Sequence, residues 1–308
     1  MTAQSDDFTD ILYKYTDLNG AQKTLTTGKL RFTRPSEMND PFDVRIDEWM
    51  AMEHEPFFRA AWPLVAERML SCPEVFAKLT GMALQHAEDI VKSFLNQSES
   101  EKAVMVAEIT DITGAEAGAY MAKARRSTEL TRTLFAAAFD TYGLFCATRT
   151  FSNLLMWAHY ADKHRGAVLG FRADLEKDSM LRLMRPVRYS DQRPHAIDTV
   201  EEFMAGLDIP GNQMARKIAD KLFHTKSAEW AYEQECRLFM PDGVRDGETA
   251  GYFPFLPKEF EEVYLGYRMT DDNKAEITRL AKAVNSDVRI FAATLAKRKY
   301  ALEFDPVP

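Results

Sequence analysis

The sequence is short of the residues that staple small folds. Its 308 residues hold only three cysteines, Cys72, Cys146 and Cys236. They lie far apart, their number is odd and none forms a C-x-x-C pair, so neither a disulfide framework nor a zinc knuckle is expected. No run of about 18 apolar residues occurs, so no membrane span and no membrane partner is expected. The opening run MTAQSDDFTD is polar and acidic, unlike a signal peptide. With the cysteine usage, it points to a reducing cytoplasm. Positive charge is also scarce: 39 Lys and Arg face 47 Asp and Glu, a formal net charge of −8. A dedicated non-specific nucleic-acid binder carries a positive surplus, so that class is disfavoured, although net charge does not exclude a local basic groove. No metal cluster, internal repeat or low-complexity tract stands out.

What remains is ordinary globular material, 46% hydrophobic and 28% charged. The length allows roughly one to three domains. Three textures follow one another. Residues 1–50 hold two strand-like runs, ILYKY and KLRFT, the second alternating Leu30 and Phe32 with Lys29, Arg31 and Thr33. Thr24 to Gly28 between them predicts a short helix with a glycine C-cap. RPSEMNDPFD follows as an ordered, turn-rich loop. Residues 51–140 predict a large all-helical insertion. Its expected apolar stripes are Phe58, Ala61, Trp62, Val65 and Met69; Phe76, Leu79, Ala83, Ile90 and Phe94; and Leu130, Leu134, Ala137 and Ala138. Ser98 with Glu101 has capping-box spacing. Residues 141–308 are mixed again. GLFCAT, AVLGF, EQECRLF, EEVYLG and DVRIFAATL predict strands. SNLLMWAHYADKH predicts a helix capped by Ser152 or Asn153, and DDNKAEITRLAKAV another. The fold class expected is α+β: a split, mixed or antiparallel β core over 1–50 and 141–308, interrupted by the helical insertion.

Four clusters carry residue types suited to chemistry. In Tyr13-Lys14-Tyr15, alternation sets Lys14 on the face opposite Tyr13 and Tyr15; the lysine either holds a phosphate or blunts an edge strand. The loop offers Arg34, Asn39, Asp40 and Asp43, for which turn capping is the simpler account. On the MWAHY helix, Trp157, Tyr160, Ala161 and His164 share a face, either as a pocket wall or as core. His159 is a candidate acid or base, or a structural histidine. In EQECRLF, strand alternation aligns Glu233, Glu235 and Arg237. Two carboxylates and a guanidinium within apolar surroundings are costly unless solvated or used, which makes this the strongest signal in the chain.

The stretches LYKY, GKLRFTRPSEMNDPFD, FCATRTFSNLLMWAHYADKHRGAVLGF, KSAEWAYEQECRLF and EVYLGYR resemble a bacterial domain of unknown function, family 2971. The order of parts is more distantly similar to the ADP-ribosyltransferase superfamily. ILYKY stands where that superfamily has its first-motif strand, the helix bearing Tyr160 where it has a nicotinamide-stacking tyrosine, and EQECRLF where it has the strand of its catalytic glutamate. The resemblance implies NAD as substrate and no metal. It implies Glu235 as the catalytic acid, Glu233 or His159 as the base for the acceptor, and Lys14, Tyr15, Arg34, Asn39, Trp157, Tyr160 and Arg237 as the groups that bind NAD. It departs at Lys14, where the superfamily has histidine or arginine. The implied role is that of a bacterial toxin, effector or phage-defence protein. The acceptor stays open among protein, nucleic acid and small molecule, and the oligomeric state is not indicated. Two alternatives stand beside it: a non-catalytic binding or sensor protein on the same fold, and a nuclease using Asp40, His159, Glu233 and Glu235.

Overall fold

The computed structural model describes residues 10–45, 49–110, 117–208 and 210–307. The polar N-terminal run, apart from Asp10, lies outside the described residues. The fold is α+β. Its strands are β1 (Leu12–Thr16), β2 (Lys29–Thr33), β3 (Gly143–Thr148), β4 (Ala167–Phe171), β5 (Arg185–Pro186), β6 (Arg188–Ser190), β7 (Thr225–Ser227), β8 (Glu235–Met240), β9 (Ala250–Pro254), β10 (Phe260–Leu265), β11 (Arg289–Leu295) and β12 (Leu302–Pro306). Its helices are α1 (Leu18–Thr27), α2 (His54–Ser71), α3 (Pro73–Thr80), α4 (Leu84–Leu95), α5 (Glu99–Thr110), α6 (Ala117–Asp140), α7 (Leu154–Tyr160), α8 (Val200–Leu207), α9 (Gly211–Phe223) and α10 (Asp271–Val284). Among the described residues no helix is long and apolar enough to cross a membrane.

The chain divides into two compact units. The first is Met1–Arg45, Ala138–Arg193 and Phe223–Pro308; the second is Ile46–Ala137 and Pro194–Leu222. Residues 194–222, which the sequence reading leaves with the core, thus fall with the helices.

The first unit is built on one mixed sheet in the order β12-β11-β10-β4-β1-β3-β2-β9, with β8 also paired to β3 and β5 to β8. The β10–β11 pair is parallel and the other pairs of this sheet are antiparallel. One face packs Leu30, Phe32, Leu169, Phe171 and Val263 with Ala21 and Leu25 of α1 and Ile277 and Ala281 of α10. The other packs Tyr13, Tyr15, Val168 and Tyr264 with Met156 and Trp157 of α7.

Local chemistry sets the element ends. Asp17 caps α1 by accepting from Gly20 N (2.7 Å), and Gly28 closes it at φ 63°, so this helix is longer than the Thr24–Gly28 turn expected. Asn153 caps α7 by accepting from Leu155 N (2.9 Å) and Met156 N (3.2 Å). α7 ends at Tyr160, sooner than expected, because Asp162, Lys163 and His164 all take the left-handed conformation (φ 44°, 53° and 70°). His164 therefore does not extend the helical face of Trp157; its ring stacks on the indole from the following turn.

In the second unit, Ser98 and Glu101 form the expected reciprocal cap of α5. α2 buries Ala61 and Val65 as expected, but Phe57, Ala66 and Leu70 are buried with them in place of Phe58, Trp62 and Met69. This helix is apolar on more than one side, so periodicity alone does not choose its face. Leu79, Ile90, Leu130 and Leu134, expected in core stripes, are exposed.

Candidate functional site

β1 and β3 meet at one register pair, Tyr13 opposite Thr148, whereas β1 and β4 share five. The sheet opens beyond that pair. A cavity of about 230 Å³ occupies the opening, lined by Lys14 and Tyr15 of β1, Cys146 and Thr148 of β3, Tyr160 of α7, and Asn39, Lys226, Glu233 and Glu235. A larger hollow of about 890 Å³ shares Lys14, Tyr15, Arg31 and Tyr160 with it and reaches Lys23, Lys29, His159, Asp162 and Tyr252. The two form an inner and an outer compartment of one cleft. Lys14 spans the opening, its Nζ donating to the Cys146 carbonyl at 2.8 Å and lying 5.5 Å from the Phe145 ring centre.

Behind the inner compartment lies a buried charge cluster. Arg237, fully buried at 0% exposure, donates through Nε and Nη2 to both oxygens of Glu235 (2.8 and 2.9 Å). Its Nη1 and Nη2 donate to both oxygens of Asp43 (2.8 and 2.5 Å), and Nη1 also to the Phe223 carbonyl (3.0 Å). This is the bidentate fork that only arginine provides. Lys226 Nζ donates to Glu233 Oε2 (2.6 Å) and Glu235 Oε2 (3.1 Å). Tyr160 OH donates to Glu233 Oε1 (2.6 Å), and Asn39 Nδ2 donates to Tyr160 OH (3.0 Å). Three carboxylates thus face two cations, and Lys14 at the cavity wall brings the formal sum to zero. Charges buried this deeply persist because each is paired and hydrogen-bonded.

The two glutamates sit in opposite electrostatic states. Burial disfavours the Glu235 carboxylate, but Arg237 and Lys226 beside it outweigh burial and hold its carboxyl well below the usual range. Burial, reinforced by the charge of Glu235, pushes the Glu233 carboxyl up despite its bonds to Lys226 and Tyr160. Burial lowers the Lys14 amine, with Arg31 adding to the effect. Burial and the neighbouring Glu233 raise the Tyr160 phenol. An acid that gives up its proton readily beside one that holds its proton more tightly is the arrangement that divides electrostatic from proton-transfer duty.

Of the residues singled out from sequence, the structure gathers Lys14, Tyr15, Asn39, Tyr160, Glu233 and Glu235 on the inner cavity. Glu233 arrives differently from expectation. It ends a 3-10 turn (Ala228–Glu233), and Gln234 in the left-handed conformation (φ 47°) separates it from β8. Four residues are not on the inner cavity. Trp157 is fully buried core, against Tyr15 and Phe304. Arg34 is held by Asp140 and the carbonyls of Glu248 and Arg245. Arg237 is enclosed behind the cavity, its guanidinium bonded to the lining residue Glu235. His159 is exposed, lines the outer compartment and lies 3.3 Å from the Tyr232 hydroxyl. Asp40 caps its own turn, accepting from Phe42 N (2.9 Å), as expected.

Sequence reasoning passed over Lys226, the cation that joins the two glutamates. The available signal was its isolation: it is the only lysine or arginine between Lys221 and Arg237, within a stretch bearing three glutamates. Among the described residues no three His, Cys, Asp or Glu side chains gather as a metal site requires.

No curated protein and no solved structure matches the chain. A family model does match, over residues 156–238, and its description is "Protein of unknown function (DUF2971)". The matched segment carries Tyr160, Lys226, Glu233 and Glu235.

Proposed function

We propose that the cleft is the active site of an ADP-ribosyltransferase-like enzyme that takes NAD and transfers ADP-ribose to an acceptor, in the role of a bacterial effector, toxin or phage-defence protein. The observation that carries this reading is the convergence of Lys14, Asn39, Tyr160, Glu233 and Glu235, from separate stretches of chain, on one cavity. A sheet that opens between β1 and β3 also supports the split, ADP-ribosyltransferase-like core that the sequence resembles.

The compartments suit the substrate by size and charge. The inner one, about 230 Å³, takes a nicotinamide ring or a ribose, and the outer one, about 890 Å³, the rest of the dinucleotide. Lys14 and Arg31 stand on the shared wall, where a pyrophosphate would pass. The Tyr160 ring is the aromatic wall. As the glycosidic C–N bond breaks, nicotinamide leaves with the bonding pair and positive charge develops on the ribose. Glu235, fixed as a carboxylate by Arg237, stabilises that charge. The acceptor's oxygen or nitrogen then bonds the same carbon, and its proton passes to Glu233.

One observation favours a second reading. Every oxygen of Glu233 and Glu235 already accepts a hydrogen bond from within the protein. Such closed pairing suits a binding or sensor site without chemistry. Nicotinamide release from NAD, followed by chromatography, separates the readings. The enzyme reading expects release by the wild type and a loss of about 100-fold or more in Glu235→Gln and Glu233→Gln, with NAD still bound by calorimetry. Binding without release from the wild type establishes the sensor. Absence of NAD binding overturns both uses of the cleft for NAD.

A further inference from the structure

Three loops meet at one end of the sheet. The register sets Thr16 of β1 opposite Ala167 of β4, Ala167 opposite Leu265 of β10, and Leu265 opposite Ala292 of β11. The turn before β4, the turn after β10 and the β11–β12 hairpin therefore emerge side by side, about 5 Å apart per strand. Arg268 N donates to the His164 carbonyl (2.9 Å) and ties the first two together. Thr16, His159 and Asp162, at the same end, line the outer compartment.

These loops carry Lys163, Arg165, Arg268, Lys297, Arg298 and Lys299, all exposed. Arg165 is neutralised by Asp162. The hairpin tip Lys297-Arg298-Lys299-Tyr300 has no ion-pair partner among the described residues, and Tyr300 stands wholly in solvent (101% exposed). Tyr267, beside Arg268, is 42% exposed. In a chain of net charge −8, an unpaired run of three cations ending in a bare aromatic ring is a local reversal of the charge balance. Cations for phosphates and free rings for stacking are the two parts of a single-strand platform; duplex bases offer no free face to such a ring.

We propose that this rim docks a single-stranded nucleic acid at the mouth of the outer compartment, and that the strand is the acceptor. The acceptor role rests on the cleft being an ADP-ribosyl-transfer site; the docking does not.

The test is fluorescence anisotropy of the full chain with a labelled 20-nucleotide single strand, as DNA and as RNA, without NAD and across salt. Binding to either sugar is expected, with a log–log salt slope reflecting up to five phosphates. Lys297→Gln/Arg298→Gln/Lys299→Gln should lower the slope by about 2 and weaken binding at least about tenfold. Tyr300→Ala should weaken binding about fivefold or more with little change in slope. The tip side chains are exposed, and circular dichroism checks that both variants keep the fold. Failure of the wild type to bind either strand at low salt overturns the proposal. So does equal binding by the triple variant, or capture of phosphatidylserine vesicles in place of strands. Strand binding without NAD turnover thus removes the acceptor role alone, and NAD turnover without strand binding removes the docking alone.

Discussion

Arg237→Met tests whether the buried cluster is a single unit of charge. The substitution keeps much of the side chain's bulk and deletes five hydrogen bonds, two to each of Asp43 and Glu235 and one to the Phe223 carbonyl. Two carboxylates are then left to one cation, Lys226, which already bonds Glu233. Removing one partner from a buried ion pair costs about 3–5 kcal/mol. For a unit of this size each kcal/mol moves Tm by about 2–4 °C, so the first unit should melt about 6–20 °C lower by scanning calorimetry. Adding Asp43→Asn and Glu235→Gln leaves Lys226 and Glu233 as a balanced pair and should restore at least half of the loss. The pH dependence follows from Glu235. Its folded carboxyl is depressed, so its stabilisation is complete above the unfolded value, about pH 4.3, and fades as pH falls below it. The gap between wild type and Arg237→Met should therefore narrow in acid. A single variant melting within about 2 °C of wild type (about 0.5–1 kcal/mol), or a triple variant less stable than the single one, would refute the reasoning.

Three further outcomes are expected. Lys14→Met should leave Tm unchanged or raised, because burial lowers the Lys14 amine and the folded chain holds that proton less readily than the unfolded one. The same variant should bind NAD at least about tenfold more weakly by calorimetry; normal binding removes Lys14 from the site. Tyr160→Phe deletes the 2.6 Å bond that helps keep Glu233 ionised, so the acid limb of the kcat/KM profile should move to higher pH; an unmoved limb excludes Glu233 as the base. Gly166→Ala should destabilise the first unit by about 1–3 kcal/mol, since the added methyl meets the Thr16 carbonyl and, at 3.0 Å, Asp17 Cα, both backbone. An unchanged melting curve would show that this close approach is not needed.

Much of the fold is readable locally. Leu30 and Phe32 alternate with exposed neighbours in β2, Gly28 and Asn153 cap where their types suggest, and EEVYLG and DDNKAEITRLAKAV form β10 and α10. These signals span a few residues, so short-range sterics and capping suffice to read them. The site is less legible because its partners are distant. Asp43 looks like a turn residue until the fold brings it to Arg237 across 194 positions. Lys226 opens the KSAEWAYEQECRLF stretch, but nothing local marks its pairing with Glu233 and Glu235. LEFDP, only half apolar, becomes β12 through its ladder to β11 rather than through its own pattern. Leu130 and Leu134 read as core by spacing, yet spacing carries no information about whether another surface covers them.

Gln234 has one more consequence. A non-glycine residue at φ 47° costs about 1 kcal/mol or more, and here it ends the 3-10 turn before β8 begins. Glu235 is pinned by the β3 ladder opposite Thr148, whereas Glu233 rides a short 3-10 turn fastened by the Thr148 side chain. Glu233 and Glu235 are thus held by different backbone supports within three residues of chain, and Lys226 is the side chain that joins them.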